Sequence, residues 1–447
     1  MKGNANYNGF KTSFTIFIIF LFIFSTVLPS SFGLNIKKDS IMNTENKEIN
    51  SKKWTWMLYD NSDFFNAGDP INLFTEWTYS SENVDIIVLQ DIREDSAKLW
   101  YINEKDQEPS RILLDDIGEV NMGDGHTLED FIQYCKENYP ADMYMLSIYG
   151  FGSGWMGATP EFDLDEWITG NFDQLTMDEM QKALLNTNGV NILSFTAPCY
   201  MGAIESVYEL RNCVDVYIGA ESTSGWKWWT GIDKICDFLT QNPDIDVFSL
   251  GQEIILKIKE AHEGWGEPGD GYYQAIAAVR TDKINSLVDS IDLLSKYFLA
   301  HNEYYETIEL FYDEIKDFDY SKDIYDFVDR LQNIEVISDE LNMILDNIKI
   351  ALQDAVYFKY IFDCENAHGL SIYLPRYIDH YVRGYADPNS EYGLDFTMDT
   401  TWDEFLDTFV KTKNKDKNSI IYPMTFNSNK LFSPNIIKII YNLLFKI

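Results

Sequence analysis

Cysteine is scarce in this chain: Cys135, Cys199, Cys213, Cys236 and Cys364 stand among 447 residues. The number is odd and low, which excludes a disulfide scaffold. If all pairing is internal, at least one thiol stays reduced, and Cys199 is the candidate. Cys135 and Cys236 fall in helical patterns and read as small core residues. Cations are also short, with 35 Lys and Arg against 72 Asp and Glu and a formal net charge of −37. That excludes nucleic acid or an anionic membrane surface as the main partner. It leaves a solvating acidic surface, or an acidic cleft for basic peptides where specific residues build one. Histidine is equally rare, at five residues.

Several ligand motifs fail. Gly150-Phe-Gly-Ser-Gly154 lacks the P-loop lysine and the dinucleotide spacing, so its glycines indicate close packing. Asp317-Phe-Asp-Tyr-Ser-Lys-Asp323 resembles the start of a calcium loop, but Lys322 fills the glycine position and Val328 the final glutamate position. Asp319 or Ser321 capping a helix fits better. Nothing calls for a cofactor or a metal, and there is no internal repeat.

What is present is a chain long enough for two or three domains. At 45% hydrophobic and 15% aromatic it has ample material for a packed core. Residues 1–33 begin with Lys2 and Lys11, run apolar from about Phe14 to Leu28, and end in small residues. This is the pattern of a secretory signal, with a retained N-terminal membrane anchor as the alternative. Either places the rest of the chain outside the cell. Residues 34–52 are polar and form a linker. At the other end, residues 413–447 include an apolar stretch broken by Pro434, Lys438 and Lys446, which suits a packed or interfacial helix.

Between these ends the pattern alternates. Strand-like runs occupy 54–60, 84–90, 143–148, 190–195 and 214–220, with a hairpin over 99–114. Helical stretches separate them, starting at Thr127 and at Thr176, whose Thr-Met-Asp-Glu order is a capping box. Strands alternating with helices predict an α/β core over 53–280 with a mostly parallel sheet covered on both faces. Helical periodicity then fills 281–360, with segments at 284–299, 303–315, 323–331 and 337–358, as a helical subdomain or insertion. A last part of the core, 361–412, holds a strand at 369–375 and a capped helix from Thr401.

Cys199 ends the apolar run from Val190 and precedes a helical pattern. A thiol there sits at the carboxyl end of a strand, where open α/β sheets carry their chemistry. The coming helix N-terminus and the N–H groups after Cys199 favour an anion. The strand 143–148 ends on the same edge in Tyr149-Gly-Phe-Gly-Ser-Gly-Trp155. His126, in the loop before the helix that leads into that strand, reads as a surface or capping histidine and also falls on this edge. Glu221, after the strand 214–220, is a pocket acid or a cap. His262, His301 and His380 have no tie to the edge, and His368 reads as structural.

Trp54-Thr-Trp-Met-Leu-Tyr, Asn121-Met-Gly-Asp, Gly152-Ser-Gly-Trp, Leu175-Thr-Met-Asp-Glu, Cys199-Tyr-Met-Gly-Ala-Ile-Glu, Tyr208-Glu-Leu, Gly219-Ala-Glu-Ser-Thr and His368-Gly-Leu-Ser-Ile-Tyr-Leu-Pro follow one another in this order. In that order they resemble the clostripain-like cysteine peptidases, from about residue 53 to about 410. The resemblance implies a caspase-like α/β/α sandwich, a Cys/His dyad and, in the best-known members, cleavage after basic residues. Cys199 fills the nucleophile position. The histidine position falls on Phe151, or on Tyr149 in an alternative register, and neither side chain takes a thiol proton near neutral pH. The family's substrate-binding aspartate, two residues before the nucleophile, is Ala197.

Three functions are compatible with this. One is a secreted homologue that binds peptides or proteins and lacks conventional peptidase activity. Another is an active cysteine endopeptidase with a rearranged base, His126 being the alternative, with Gly152 and Cys199 N–H groups holding the oxyanion and specificity shifted from basic residues. The third is a cell-surface binding or structural module.

Overall fold

The computed structural model describes residues 51–66, 77–93, 95–161, 173–195, 198–223, 231–262 and 274–413. The expected signal or anchor over 1–33, most of the expected linker over 34–52, Ala197 and the C-terminal apolar stretch lie outside the described residues.

Nine strands form one sheet. In chain order they are β1 (Lys52–Asn66), β2 (Val84–Arg93), β3 (Ala97–Ile102), β4 (Arg111–Gly118), β5 (Ala141–Tyr149), β8 (Val190–Phe195), β9 (Val214–Ala220), β10 (Gln274–Arg280) and β13 (Val356–Phe362). Two short hairpin strands, β6 (Ala158–Pro160) and β7 (Gln174–Leu175), pair with each other. The remaining strands, β11 (Asp317–Phe318), β12 (Ser321–Asp323) and β14 (Ser371–Tyr373), make a three-stranded sheet. The main sheet runs β13-β10-β9-β8-β5-β1-β2-β3-β4. Its centre, β9-β8-β5-β1-β2, is parallel, and antiparallel pairs extend it at both edges.

Burial on both faces follows from the two-residue side-chain period of a strand. In β1, Trp54, Trp56 and Leu58 join one core while Met57 and Tyr59 join the other. Ile86 and Val88 of β2 split from Ile87 and Leu89 in the same way. Helices Ile232–Gln241 and Val247–His262 cover the first face. Helices Gly125–Asn138, Met177–Asn186, Ile204–Glu209 and Ile284–Ala300 contribute to the core on the second. The result is an α/β/α sandwich. Helices Ile284–Ala300, Ile324–Gln332 and Asp339–Ala355 share the second core with the sheet.

Local chemistry sets several boundaries. The capping box at Thr176 is present, with its side chain accepting from Glu179 N–H and the Glu179 carboxylate accepting from Thr176 N–H at 3.0 Å. The helix expected from Thr127 starts at Gly125 instead, because the Asp124 carboxylate takes the His126 N–H at 2.8 Å. Asp319 and Ser321 are not helix caps. Asp319 adopts φ +60 in the turn between β11 and β12, and Asp323 caps helix Ile324–Gln332 by accepting from Asp326 N–H at 2.7 Å. The helical pattern over 337–358 ends at Ala355 and passes into β13. The expected strand at 369–375 shortens to β14, outside the main sheet.

Candidate active site

β5, β8 and β9 are neighbours in the parallel centre, so their carboxyl ends open side by side. The loop 150–157 follows β5, the Cys199 segment follows β8, and Glu221-Ser222 follows β9. The sequence placed these segments on one edge, and the fold brings them into contact.

Gly152 makes the tightest approach. A Cβ added there would stand 2.8 Å from the Cys199 amide N and 2.7 Å from Pro198 Cβ, and closer still to the Cys199 carbonyl oxygen. No side chain fits, so glycine is required for two backbones to meet. Gly154, at φ +64, lies beside the Tyr200 carbonyl. The loop holds its own shape through Thr159 N–H to the Phe151 carbonyl (2.8 Å) and Ser153 N–H to the Gly157 carbonyl (2.9 Å). These flank the Gly152–Ala158 bridge and leave the Gly152 N–H outside that ladder. Phe151 is half-buried next to this contact.

Cys199 is half-buried, and none of the five cysteines is in a disulfide. Backbone bonds hold its segment from below: Tyr200 N–H to the Ser222 carbonyl (3.1 Å) and Gly202 N–H to the Ala220 carbonyl (2.7 Å). Tyr200 itself stands at φ +61. Ser371 N–H and Oγ both reach the Gly202 carbonyl, at 2.9 and 3.2 Å, and Ala203 bridges Ser371. This extended stretch separates Cys199 from the helix that begins at Ile204. The thiol is therefore not at the helix N-terminus, contrary to the sequence expectation, and the Tyr200 and Gly202 N–H groups that follow it are taken up by the Ser222 and Ala220 carbonyls.

Glu221 is fully buried. Its Oε2 accepts from Gly369 N–H at 2.6 Å. Burial first, then Asp323, pushes its pKa well above the ordinary carboxyl value. Asp323, also buried, accepts from His368 Nδ1 at 3.0 Å, and the His368 ring stacks on Tyr325 at 4.3 Å. This buried acid pair ties β9 to β12 and β14, a structural partnership for Glu221. His126 is exposed, and its Nδ1 bonds Asp124 at 3.0 Å rather than the Cys199 segment. The hydrogen bond to Asp124 raises its pKa. His262 is held low by burial.

Sequence reasoning missed Glu205, a fully buried carboxyl six residues after Cys199. Its first-turn position looked like an ordinary helix acid. It also missed Asp91, Glu119 and Glu161, whose carboxylates lie within 4.8 Å of one another, the group of described residues placed to share a cation. Their separation in sequence hides the grouping.

A half-buried thiol just beyond a parallel strand, a glycine loop seated on its backbone and an α/β/α sandwich make up a caspase-like fold. The family model described as the clostripain family matches residues 55–409, and the chain belongs to that family. Clostripain from Hathewaya histolytica is 24% identical, over 79% of this chain and 80% of its own. Among solved structures, a secreted C11 cysteine protease from Bacteroides thetaiotaomicron, in complex with an irreversible peptide inhibitor, matches with TM-score 0.56 and 17% identity, over 78% of this chain and 99% of its own. An inactive zymogen C11 protease from Parabacteroides distasonis matches with TM-score 0.54 and 18% identity, over 73% and 92%. Among the described residues no helix is long and apolar enough to cross a membrane.

Proposed function

We propose that this chain is an extracellular clostripain-family homologue that keeps the peptide-facing scaffold and lacks conventional activation of its thiol. One observation carries this reading: the loop whose backbone meets Cys199 contains no histidine, and the resemblance aligns Phe151, or Tyr149 in the alternative register, with the family's histidine position. A phenyl ring neither accepts the thiol proton nor returns one to the leaving amine. An unassisted thiol, with an ordinary pKa of about 8.5, is only a few per cent thiolate at pH 7. Ala197 at the family's aspartate position removes the charge that would select a basic side chain. Binding of peptide or protein ligands is what remains. The extracellular location rests on residues 1–33, and the secreted Bacteroides relative agrees with it.

The placement of Gly152 favours a second reading, an active endopeptidase with a rearranged base and non-basic specificity. Cys199 would attack a peptide carbonyl, and the Gly152 N–H would hold the oxyanion. The proton would leave through another group, His126 being the candidate from sequence.

The test is labelling of the purified chain by an electrophilic peptide probe at graded pH, with Cys199→Ala as the blank. The native chain is expected to label no faster than an ordinary thiol. Phe151→His is expected to label roughly tenfold faster or more near pH 7. Rapid labelling of the native chain near pH 7 that vanishes in Cys199→Ala refutes the first reading in favour of the second.

A further inference from the structure

Glu205 occupies the first turn of helix Ile204–Glu209 and is fully buried. Its Oε1 accepts from Tyr373 N–H at 2.8 Å and from Tyr385 O–H at 3.0 Å. Its Oε2 is buried without a hydrogen-bond partner. Tyr373 and Tyr385 in turn enclose Trp155, at ring-centroid distances of 5.1 and 4.8 Å. The two tyrosines pack on each other at 4.7 Å. Trp155 belongs to the loop whose Gly152 meets Cys199, and helix Ile204–Glu209 touches the turn Gly154–Met156 directly. One carboxyl oxygen therefore connects the segment after Cys199 to the loop that faces it.

We propose that Glu205 is a positioning residue that holds the Cys199 segment and the loop 150–157 in register through Tyr373 and Tyr385. An apolar side chain in the same space would leave the buried Tyr373 N–H and Tyr385 hydroxyl without their acceptor, so the joint depends on the carboxyl even though its second oxygen stays unpaired. Burial also raises the Glu205 pKa to about 7. Val382 N–H bonds the Tyr373 hydroxyl at 2.9 Å and Trp402 Nε1 bonds the Tyr373 carbonyl at 2.9 Å, so the far side of the joint is anchored.

Hydrogen exchange on the full chain tests this without needing activity. Tyr385→Phe, which removes one hydrogen bond, is expected to speed exchange about tenfold in 152–157 and 199–203 together, and Glu205→Ala, which removes two, by at least as much. Helix Ile232–Gln241, on the opposite face, should not change. Glu205→Gln keeps an acceptor for both donors and should keep exchange slow. In a Phe151→His background, Tyr385→Phe should slow labelling by a peptide electrophile about tenfold while labelling by iodoacetamide changes less than about twofold. Faster exchange confined to 203–210, spread evenly over the chain, or absent from 152–157 overturns the proposal. So does an equal fall in both labelling rates. Failure of the functional reading would appear instead as rapid labelling of the unmutated chain, which leaves the exchange comparison intact.

Discussion

Gly152→Ala is expected to damage the site more than its size suggests. The new methyl would stand 2.8 Å from the Cys199 nitrogen and closer to its carbonyl oxygen, where side-chain carbons ordinarily keep more than 3.0 Å. The opposing atoms are backbone, so no rotamer change relieves them. Backbone bonds to Ser222 and Ala220 restrain the Cys199 segment, and the bonds to Thr159 and Gly157 restrain the loop. Relief requires the two strand-end segments to part by roughly half an ångström to one ångström. Overpacking of this kind costs about 1–3 kcal/mol. A melting temperature lower by about 1–5 °C follows for a folded unit of this size, at roughly 1.5 °C per kcal/mol. A displacement of about 1 Å at a reacting group costs on the order of a hundredfold in rate. In the Phe151→His background, peptide-probe labelling at Cys199 should therefore fall far more than stability explains. Thermal melts and labelling rates on Gly152→Ala, with and without Phe151→His, decide the matter. An unchanged melting temperature together with unchanged labelling would falsify the claim that these backbones meet.

Thr176→Ala removes the side chain that accepts from Glu179 N–H, and should cost about 1 kcal/mol, read as a lower denaturation midpoint with an unchanged m-value. Glu205 and Asp60 are fully buried carboxyls raised to about 7 by desolvation, Asp60 despite hydrogen bonds from Ser62 and Gln90. The native state thus holds protons that the unfolded chain releases near pH 4, so stability is greatest below that range and falls as pH rises towards about 7. Each group contributes on the order of 3 kcal/mol to that fall, Glu205→Gln should flatten it, and a melting temperature rising from pH 5 to 8 would refute the assignment. His126→Ala should leave Cys199 labelling unchanged within about twofold if the base is absent, because its ring bonds Asp124; a loss near pH 7 would transfer the role of base to it.

The parallel centre of the sheet was readable because its strands are short apolar runs bounded by turns, and the Thr176 helix because a capping box is a local pattern. The two strands beyond β9 were not. Gln274–Arg280 is rich in alanine and carries no strand preference; it extends because β9 and β13 bond it on both sides. Val356–Phe362 continues an apolar helical pattern with no proline or glycine to mark the change. The Cys199 edge was readable as a place, since strand ends converge there by topology. Its internal joints were not, because Glu205 meets Tyr373 and Tyr385 across 168 and 180 residues of chain.

The way this edge is built bears on how activity could be lost without loss of fold. Cys199 is positioned by Tyr200 and Gly202 N–H groups, by Ser371 and by the Gly152 backbone, and none of these contacts uses the Phe151 side chain. The bond from the loop to Thr159 is accepted by the Phe151 backbone carbonyl, so that bond is open to either side chain at 151. A change from histidine to phenylalanine would therefore remove a base while leaving these backbone hydrogen bonds in place. The reverse change, Phe151→His, should fold with nearly unchanged stability, within about 1 kcal/mol, because one half-buried ring replaces another. A large destabilisation by Phe151→His would mean that the phenyl ring had become part of the packing, and that the loop had been remodelled for a different task.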